Sequence, residues 1–305
     1  KNDGKPWPQW DMVAGKGLYR EIGCYSLNDP DCFSPLLQAV YRTLWPELVA
    51  RPFMRYKDRI ASDAMTSALT RLTDALGQSF SDAAVPEHAD PVMTARIREL
   101  FGKCQMLTPK QKWWTRFFFI LVTADLSEIG LESKFYRMID REYPAMAGFL
   151  TNCFTIGNYC PVPAGFNAPR SGGYGCYDYW DLTLMKIRQW YCHDSGPESD
   201  RVLLKEQLLH NHREGSLENC RAWLSWFEGE GALPGKDGWR SFVDSLFLQD
   251  YVDEDYKVKP FWEGHSWENF DLPEDRDRIN QGLAEISIRI ASRAIRMVNA
   301  CRGRL

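Results

Sequence analysis

The sequence predicts a mainly α protein: a single large helical domain over residues 34–305, with a long ordered aromatic loop at 152–180, little sheet, and an N-terminal strap over residues 1–33. Three observations predict it. A capping residue followed by proline recurs at Ser34-Pro35, Asp90-Pro91 and Thr108-Pro109, and this pair opens helices because the cap accepts first-turn N–H groups while proline already holds a helical φ. Apolar residues then recur at i, i+3, i+4 spacing rather than alternating. No internal repeat, low-complexity tract or clear linker divides the chain.

Taken in order, residues 1–33 are irregular. Trp7 and Trp10 flank Pro8, and Gly15, Gly17 and Gly23 interrupt any period, so aromatics would strap this stretch across the domain. The helix from Ser34-Pro35 carries Leu37, Val40, Tyr41, Leu44 and Leu48, with Pro46 predicting a kink or an early end. A second helix is predicted over 58–77 on Ile60, Met65, Leu69, Leu72 and Leu76, followed by a polar loop at 78–90. After Asp90-Pro91 come Val92, Ile97, Leu100, Phe101 and Cys104. Thr108-Pro109 leads into Trp113, Trp114, Phe117, Phe118 and Leu121, apolar on more than one side and so a central buried helix, with a strand through 117–122 as the competing reading. Another helix over 131–150 delivers the chain to the loop.

Beyond the loop, Trp180, Leu184, Ile187 and Tyr191 make a buried helical stripe, with Lys186, Arg188 and Gln189 off it. Helices follow over about 199–212 and 216–228, then a loop at 229–238. His210 and His212 stand two apart, on different helix faces, and read as surface or capping groups. Ser241 is the predicted cap of a helix carrying Phe242, Val243, Leu246, Phe247 and Tyr251, which runs into an acidic cluster of Asp250, Asp253, Glu254 and Asp255. A last helix over 274–301 carries an apolar stripe and a second row of Arg289, Arg293 and Arg296. That row is read as a solvated face, or as a partner for the acidic cluster or for phosphate, since guanidinium forks suit both.

Composition narrows the function. Net charge is −4 with both signs mixed along the chain, which argues against non-specific DNA binding as the main role. Nine cysteines are scattered without a CxxC pair, and Cys153/Cys160 and Cys24/Cys32 are too widely spaced for a usual zinc knuckle. Free thiols in a reducing compartment follow, and with them a cytoplasmic location. No run of eighteen apolar residues exists, so no membrane partner is expected. No signal peptide is visible, and the chain starts at Lys1 without Met, which leaves a trimmed leader open. A GxxxxGK[ST] loop, GxGxxG, GxSxG and HExxH are all missing, against an ATPase, a Rossmann dehydrogenase, an ordinary α/β-hydrolase and a zincin protease.

The loop concentrates the candidate chemistry. Gly157-Asn158 reads as a turn, Pro161 and Pro163 exclude regular structure, and Gly165, Gly172, Gly173 and Gly175 extend the irregularity. Phe154, Tyr159, Phe166, Tyr174, Tyr177 and Tyr179 are too much apolar area to leave in water, so the loop is ordered. Its polar residues have two readings. Asn158, Asn167, Arg170, Asp178 and Asp181 cap turns, or they line a pocket in which Arg170 clamps an anion and Asp178 or Asp181 acts as acid, base or metal ligand.

Three blocks carry a family resemblance. They are Asp29-Pro30-Asp31 with Phe33-Ser34-Pro35 and Leu44-Trp45; Ile156-Gly157 with Asn167, Arg170, Asp181-Leu182-Thr183-Leu184, Ile187-Arg188 and Tyr191; and residues 242–255 with Leu248-Gln249-Asp250 and Glu254-Asp255. Together they resemble an uncharacterised bacterial family, one of the domains of unknown function. The resemblance implies no activity, but it marks Asn167, Arg170, Asp181, Arg188, Asp250 and Asp255 as positions to test. A weaker similarity, through Asn158 and Asn167, is to HNH nucleases of modification-dependent restriction systems. Where that family carries its metal-binding and base histidine, Arg141-Glu142-Tyr143-Pro144 stands instead.

The functional expectation is an enzyme or sensor that binds a phosphate-bearing small molecule or nucleic acid, in a defence or toxin-related role. Asp178 and Asp181 are its candidate catalytic groups, and Asn158, Asn167, Arg170, Arg188, Asp250 and Asp255 its ligand-binding groups. No metal site is expected and the cofactor is unknown. The alternative is a non-catalytic protein-interaction module that docks through the aromatic loop.

Overall fold

Proline sets both limits of the first helix, as the sequence predicts. α1 (Pro35–Leu44) stops at Trp45 and α2 (Pro46–Val49) restarts with Pro46 in its first turn. The computed structural model describes residues 35–66, 144–145, 149, 152, 155–166, 179–192, 204, 208–209, 214–269, 273 and 275–304, and the element labels number what lies within them. The strap at 1–33, the helix starts at Asp90-Pro91 and Thr108-Pro109, and the apolar run at 117–122 lie outside the described residues.

Residues 55–64 are a correction to the helix predicted from residue 58. They form β1 (Arg55–Tyr56), β2 (Arg59–Ile60) and β3 (Ser62–Ala64). β1 and β2 pair antiparallel around a turn in which Lys57 has φ 59°, and β3 pairs antiparallel with β4 (Tyr159–Pro161), Asp63 opposite Cys160. Ile60 suits a strand as well as a helix and pairs with nearby Arg55, while β3 takes its partner β4 from almost a hundred residues away. Side chains from α1 serve the strand backbone: the Gln38 amide donates to the Ile60 carbonyl and accepts from the Ile60 N–H, both at 2.9 Å, and Tyr41 bonds Ser62 at 2.7 Å. Short strands with exposed edges need such partners for their free backbone groups.

α3 (Trp180–Cys192) begins where Trp180 N–H donates to the Met65 carbonyl at 3.0 Å and the Trp180 indole to Asp63 at 2.7 Å. α4 (Glu214–Trp226) and α5 (Gly238–Ser245) follow. Asp237, not Ser241, caps α5, accepting from Arg240 N–H at 2.7 Å; Ser241 lies inside the helix, where its hydroxyl accepts from Leu233 N–H at 3.0 Å. α6 (Arg276–Arg302) is capped by Asp275 and ends within a residue or two of the predicted limits. The described part is therefore rich in helix, with two two-stranded sheets. Its buried apolar side chains form one cluster running from Leu37 to Cys301, with Phe166, Trp223, Phe227, Trp239 and Phe242 in ring contact. Among the described residues no helix is long and apolar enough to cross a membrane. Cys160, Cys192, Cys220 and Cys301 carry free thiols.

α6 packs on the 3-10 turn Ile156–Asn158, which leads into β4. Gly157 is not in the left-handed region; among the described glycines only Gly165, Gly235 and Gly264 are. What requires glycine at 157 is closeness, because a Cβ there would stand 2.1 Å from the Ile290 carbonyl oxygen. The arginine row of α6 is not a solvated face either. Arg293 is fully buried and donates to three carbonyls: Leu246 at 3.0 Å, and Gly157 and Tyr159 both at 2.8 Å. Arg289 is also buried, and Arg296 pairs with Asp250.

Tyr251 lies beside this row with a buried hydroxyl that has no hydrogen-bond partner. Burial pushes its pKa well above the ordinary tyrosine value, against the opposing pull of Arg293 and Arg289. The folded value exceeds the unfolded one of about 10, so this contribution to stability is complete below about pH 10 and is lost as pH rises from there toward the folded value. Removing the hydroxyl by Tyr251→Phe should leave stability at pH 7 unchanged or raise it by up to about 1 kcal/mol, since no bond is broken. The gain should grow above about pH 10. Urea melts at neutral and alkaline pH check this, and a loss beyond about 1 kcal/mol at pH 7 would show that the hydroxyl has a partner.

Candidate functional site

The acidic cluster after α5 makes a turn and two ion pairs. Asp253 accepts from Asp255 N–H at 2.9 Å and Lys257 N–H at 2.8 Å, and Tyr256 takes φ 58° to close the turn. Val252 and Val258 bridge across its base. Asp255 is exposed, with its carboxylate 3.6 Å from Lys257 Nζ, while Asp250 points the other way, to Arg296.

The chain from 259 to 269 then wedges between α6 and α3. On the α6 side, Arg289 donates to the Lys259 and Pro260 carbonyls at 3.0 and 3.1 Å. Gly282 lets the Phe261 carbonyl approach, with a Cβ position only 3.3 Å away. On the α3 side, the Trp267 indole donates to the Leu182 carbonyl at 2.8 Å. Asp181 holds the centre. It lies in the first turn of α3 but caps nothing there; its Oδ2 accepts from Phe261 N–H at 2.8 Å and meets His265 Nδ1 at 2.5 Å. Both side chains are fully buried. The imidazole sits among Tyr179, Phe261 and Trp262, the Trp262 ring centroid 3.9 Å away. Asp181 Oδ1 and His265 Nε2 have no hydrogen-bond partner. A carboxylate on Nδ1 orients the ring.

A cavity of about 300 Å³ lies between α3 and the chain at 257–268, and neither Asp181 nor His265 lines it. Met185, Lys186 and Arg188 line it from α3, and Lys257, Trp267 and Glu268 from the opposite wall. Lys186 Nζ lies 5.0 Å from the centre of the Trp267 ring. Burial lowers the pKa of that amine, against the pull of Glu268. Arg188 is half-buried, and its Nε is buried without a hydrogen-bond partner. Two further cavities are less suited to one ligand charge. One of about 230 Å³ beside α6 sets Glu263 and Glu285 among Arg278 and Arg289. One of about 450 Å³ is walled by Trp45, Trp226 and Phe247.

The structure places the predicted residues as follows. Asn167, Arg170 and Asp178 lie outside the described residues. Asn158 is buried, and its amide donates to the Thr66 carbonyl at 3.1 Å and accepts from the Thr66 N–H at 3.0 Å. Asp181 and Arg188 share α3, Asp181 in the interior and Arg188 on the cavity. Asp250 and Asp255 are parted by the turn between them. Sequence reasoning passed over Lys186, Lys257, His265 and Trp267. Lys186 stands in the sequence only as a residue off a helical stripe, nothing in the sequence marks Lys257, and His265 meets Asp181 across 84 residues. Among the described residues no three His, Cys, Asp or Glu side chains converge as a metal site. Compared with known proteins, the chain matches no protein-family model, no curated protein and no solved structure.

Proposed function

We propose that the protein binds a phosphate-bearing ligand, a nucleotide or a nucleic-acid backbone, in the cavity beside α3. One observation carries this: Arg188, whose buried Nε has no hydrogen-bond partner among the described residues, lines a cavity together with Lys186 and Lys257. A guanidinium fork with two ammonium groups is the donor set that phosphate oxygens take, and charge-assisted bonds are the strong ones. The cavity is at the small end of ligand sites. Arg188 also belongs to the block that resembles the family of unknown function. Asp181, fully buried against His265, does not line the cavity, so this reading gives it no contact with the ligand. Docking through the aromatic loop draws no support from Tyr159, Phe166, Tyr179 and Trp180, which are all buried.

Isothermal titration with inorganic phosphate and a panel of nucleotides tests the reading. Arg188→Ala should weaken the binding by about 10- to 100-fold, the worth of one hydrogen bond to a charged group. It should leave stability within about 0.5 kcal/mol, since among the described residues Arg188 Nε has no hydrogen bond to lose. Equal affinity in the variant, or no binding across the panel, would sink the proposal.

A further inference from the structure

The outer face of α6 is apolar at its middle, where a solvent face is normally polar. Among the described residues the exposed large apolar side chains are Tyr56, Ile288 and Ile295, and the last two, on this helix, are 60% and 53% exposed. One exposed isoleucine is ordinary. These two stand seven residues apart, within about 20° of each other around the helix axis. Ala284, Ala291 and Ser292 lie half-buried beside them, so that 284, 288, 291 and 295 carry the spacing of a coiled-coil seam. Chain packs on both flanks and leaves the seam open: Ala145 and Asn152 bond to Asn280 and Ser287 on one side, and the Lys259 and Pro260 carbonyls to Arg289 on the other. The same exposed line is polar at its ends, with Asp277 and Gln281 in the first turns and Asn299 and Arg302 in the last.

We infer that the protein self-associates through this face, α6 lying antiparallel on α6 of a second copy across a two-fold axis between Ala291 and Ser292. An isologous contact requires a face that complements itself. In this register Ile288 meets Ile295 of the partner subunit, and Ile295 meets the partner's Ile288. The small residues at the axis let the two helices approach closely. Arg302 of the partner subunit comes opposite Gln281, one turn from Asp277 on one side and from Glu285 on the other, both exposed. The parallel arrangement is opposed by charge, because it sets Asp277 against Asp277 and Arg302 against Arg302 and aligns the two helix dipoles. A single helix pair is small beside the standard interface of about 1,600 Å², so the association is weak, with a Kd on the order of 10 µM.

Sedimentation of the full chain over a range of concentrations around that value tests the inference. The expected result is a monomer–dimer equilibrium that Ile288→Glu and Ile295→Glu each weaken at least about tenfold. Both variants should keep the melting temperature of the unmodified chain, since both side chains are exposed in one copy. Under oxidation, Ser292→Cys should link two copies beside the axis. Ile288→Cys should not, because its symmetry mate stands about 10 Å away along the helix, beyond the reach of a disulfide. The unmodified chain, with exposed Cys192, gives the background. A monomer at every concentration, or a dimer that both glutamate variants leave intact, overturns the inference. A lowered melting temperature in those variants would show that the face packs within one chain, and overturns it too. A link in Ile288→Cys without one in Ser292→Cys overturns the antiparallel register.

Discussion

Arg293→Ala should destabilise the fold by about 3–5 kcal/mol, the largest effect expected of any single side chain here. The guanidinium is fully buried and is the donor shared by the carbonyls of Leu246, Gly157 and Tyr159. Its removal leaves oxygen atoms in the core without that donor and a space the size of a long side chain. Each buried polar group left unpaired costs about 1–3 kcal/mol, so three outweigh the relief of no longer burying a cation. Arg293→Lys keeps the charge but cannot span three acceptors in a fork, and should fall in between. The urea midpoint of each variant checks the order. A loss under about 1 kcal/mol in the alanine variant would show that other donors serve those carbonyls.

Gly157→Ala should cost about 3 kcal/mol or more, at the upper end for overpacking. Its Cβ would stand 2.1 Å from the Ile290 carbonyl oxygen, 2.8 Å from Ala294 N and 2.9 Å from Ala294 Cβ. Two of these are backbone atoms of α6, which move only if the helix moves. Ala294→Gly should therefore rescue Gly157→Ala only in part, because it relieves the longest of the three overlaps and leaves the shortest. Full rescue in thermal melts of the double variant would place the conflict at the Ala294 methyl and not at the helix backbone.

Local signals were legible and distant ones were not. Pro35 and Pro46 fixed the first two helices because proline's φ and missing N–H act on its own turn. The apolar period from Ile279 to Met297 fixed α6 for the same reason. Residues 58–66 were misread because their apolar spacing fits two periods, and the partner strand Tyr159–Pro161 is far along the chain. Spacing shows the row of Arg289, Arg293 and Arg296 but not the burial of the first two, which depends on carbonyls at 157, 159, 246, 259 and 260. Asp181 was legible as unusual, and its partner was not, since nothing local ties it to His265. The sequence marks Arg188 for the ligand site through the resembling block, while Lys186 stands only as a residue off the buried stripe.

The arginine bridge also sets an order of events during synthesis. Gly157 and Tyr159 leave the ribosome more than a hundred residues before Arg293, and the Trp45 indole waits 200 residues for the Ser245 carbonyl. Contacts so far apart in sequence make for slow folding, since the entropy of closing the chain is spent before the contact is gained. A nascent chain halted before residue 276 holds a turn shaped for a helix that does not yet exist, so chaperone dependence and pausing effects should concentrate in the interval before α6 is released.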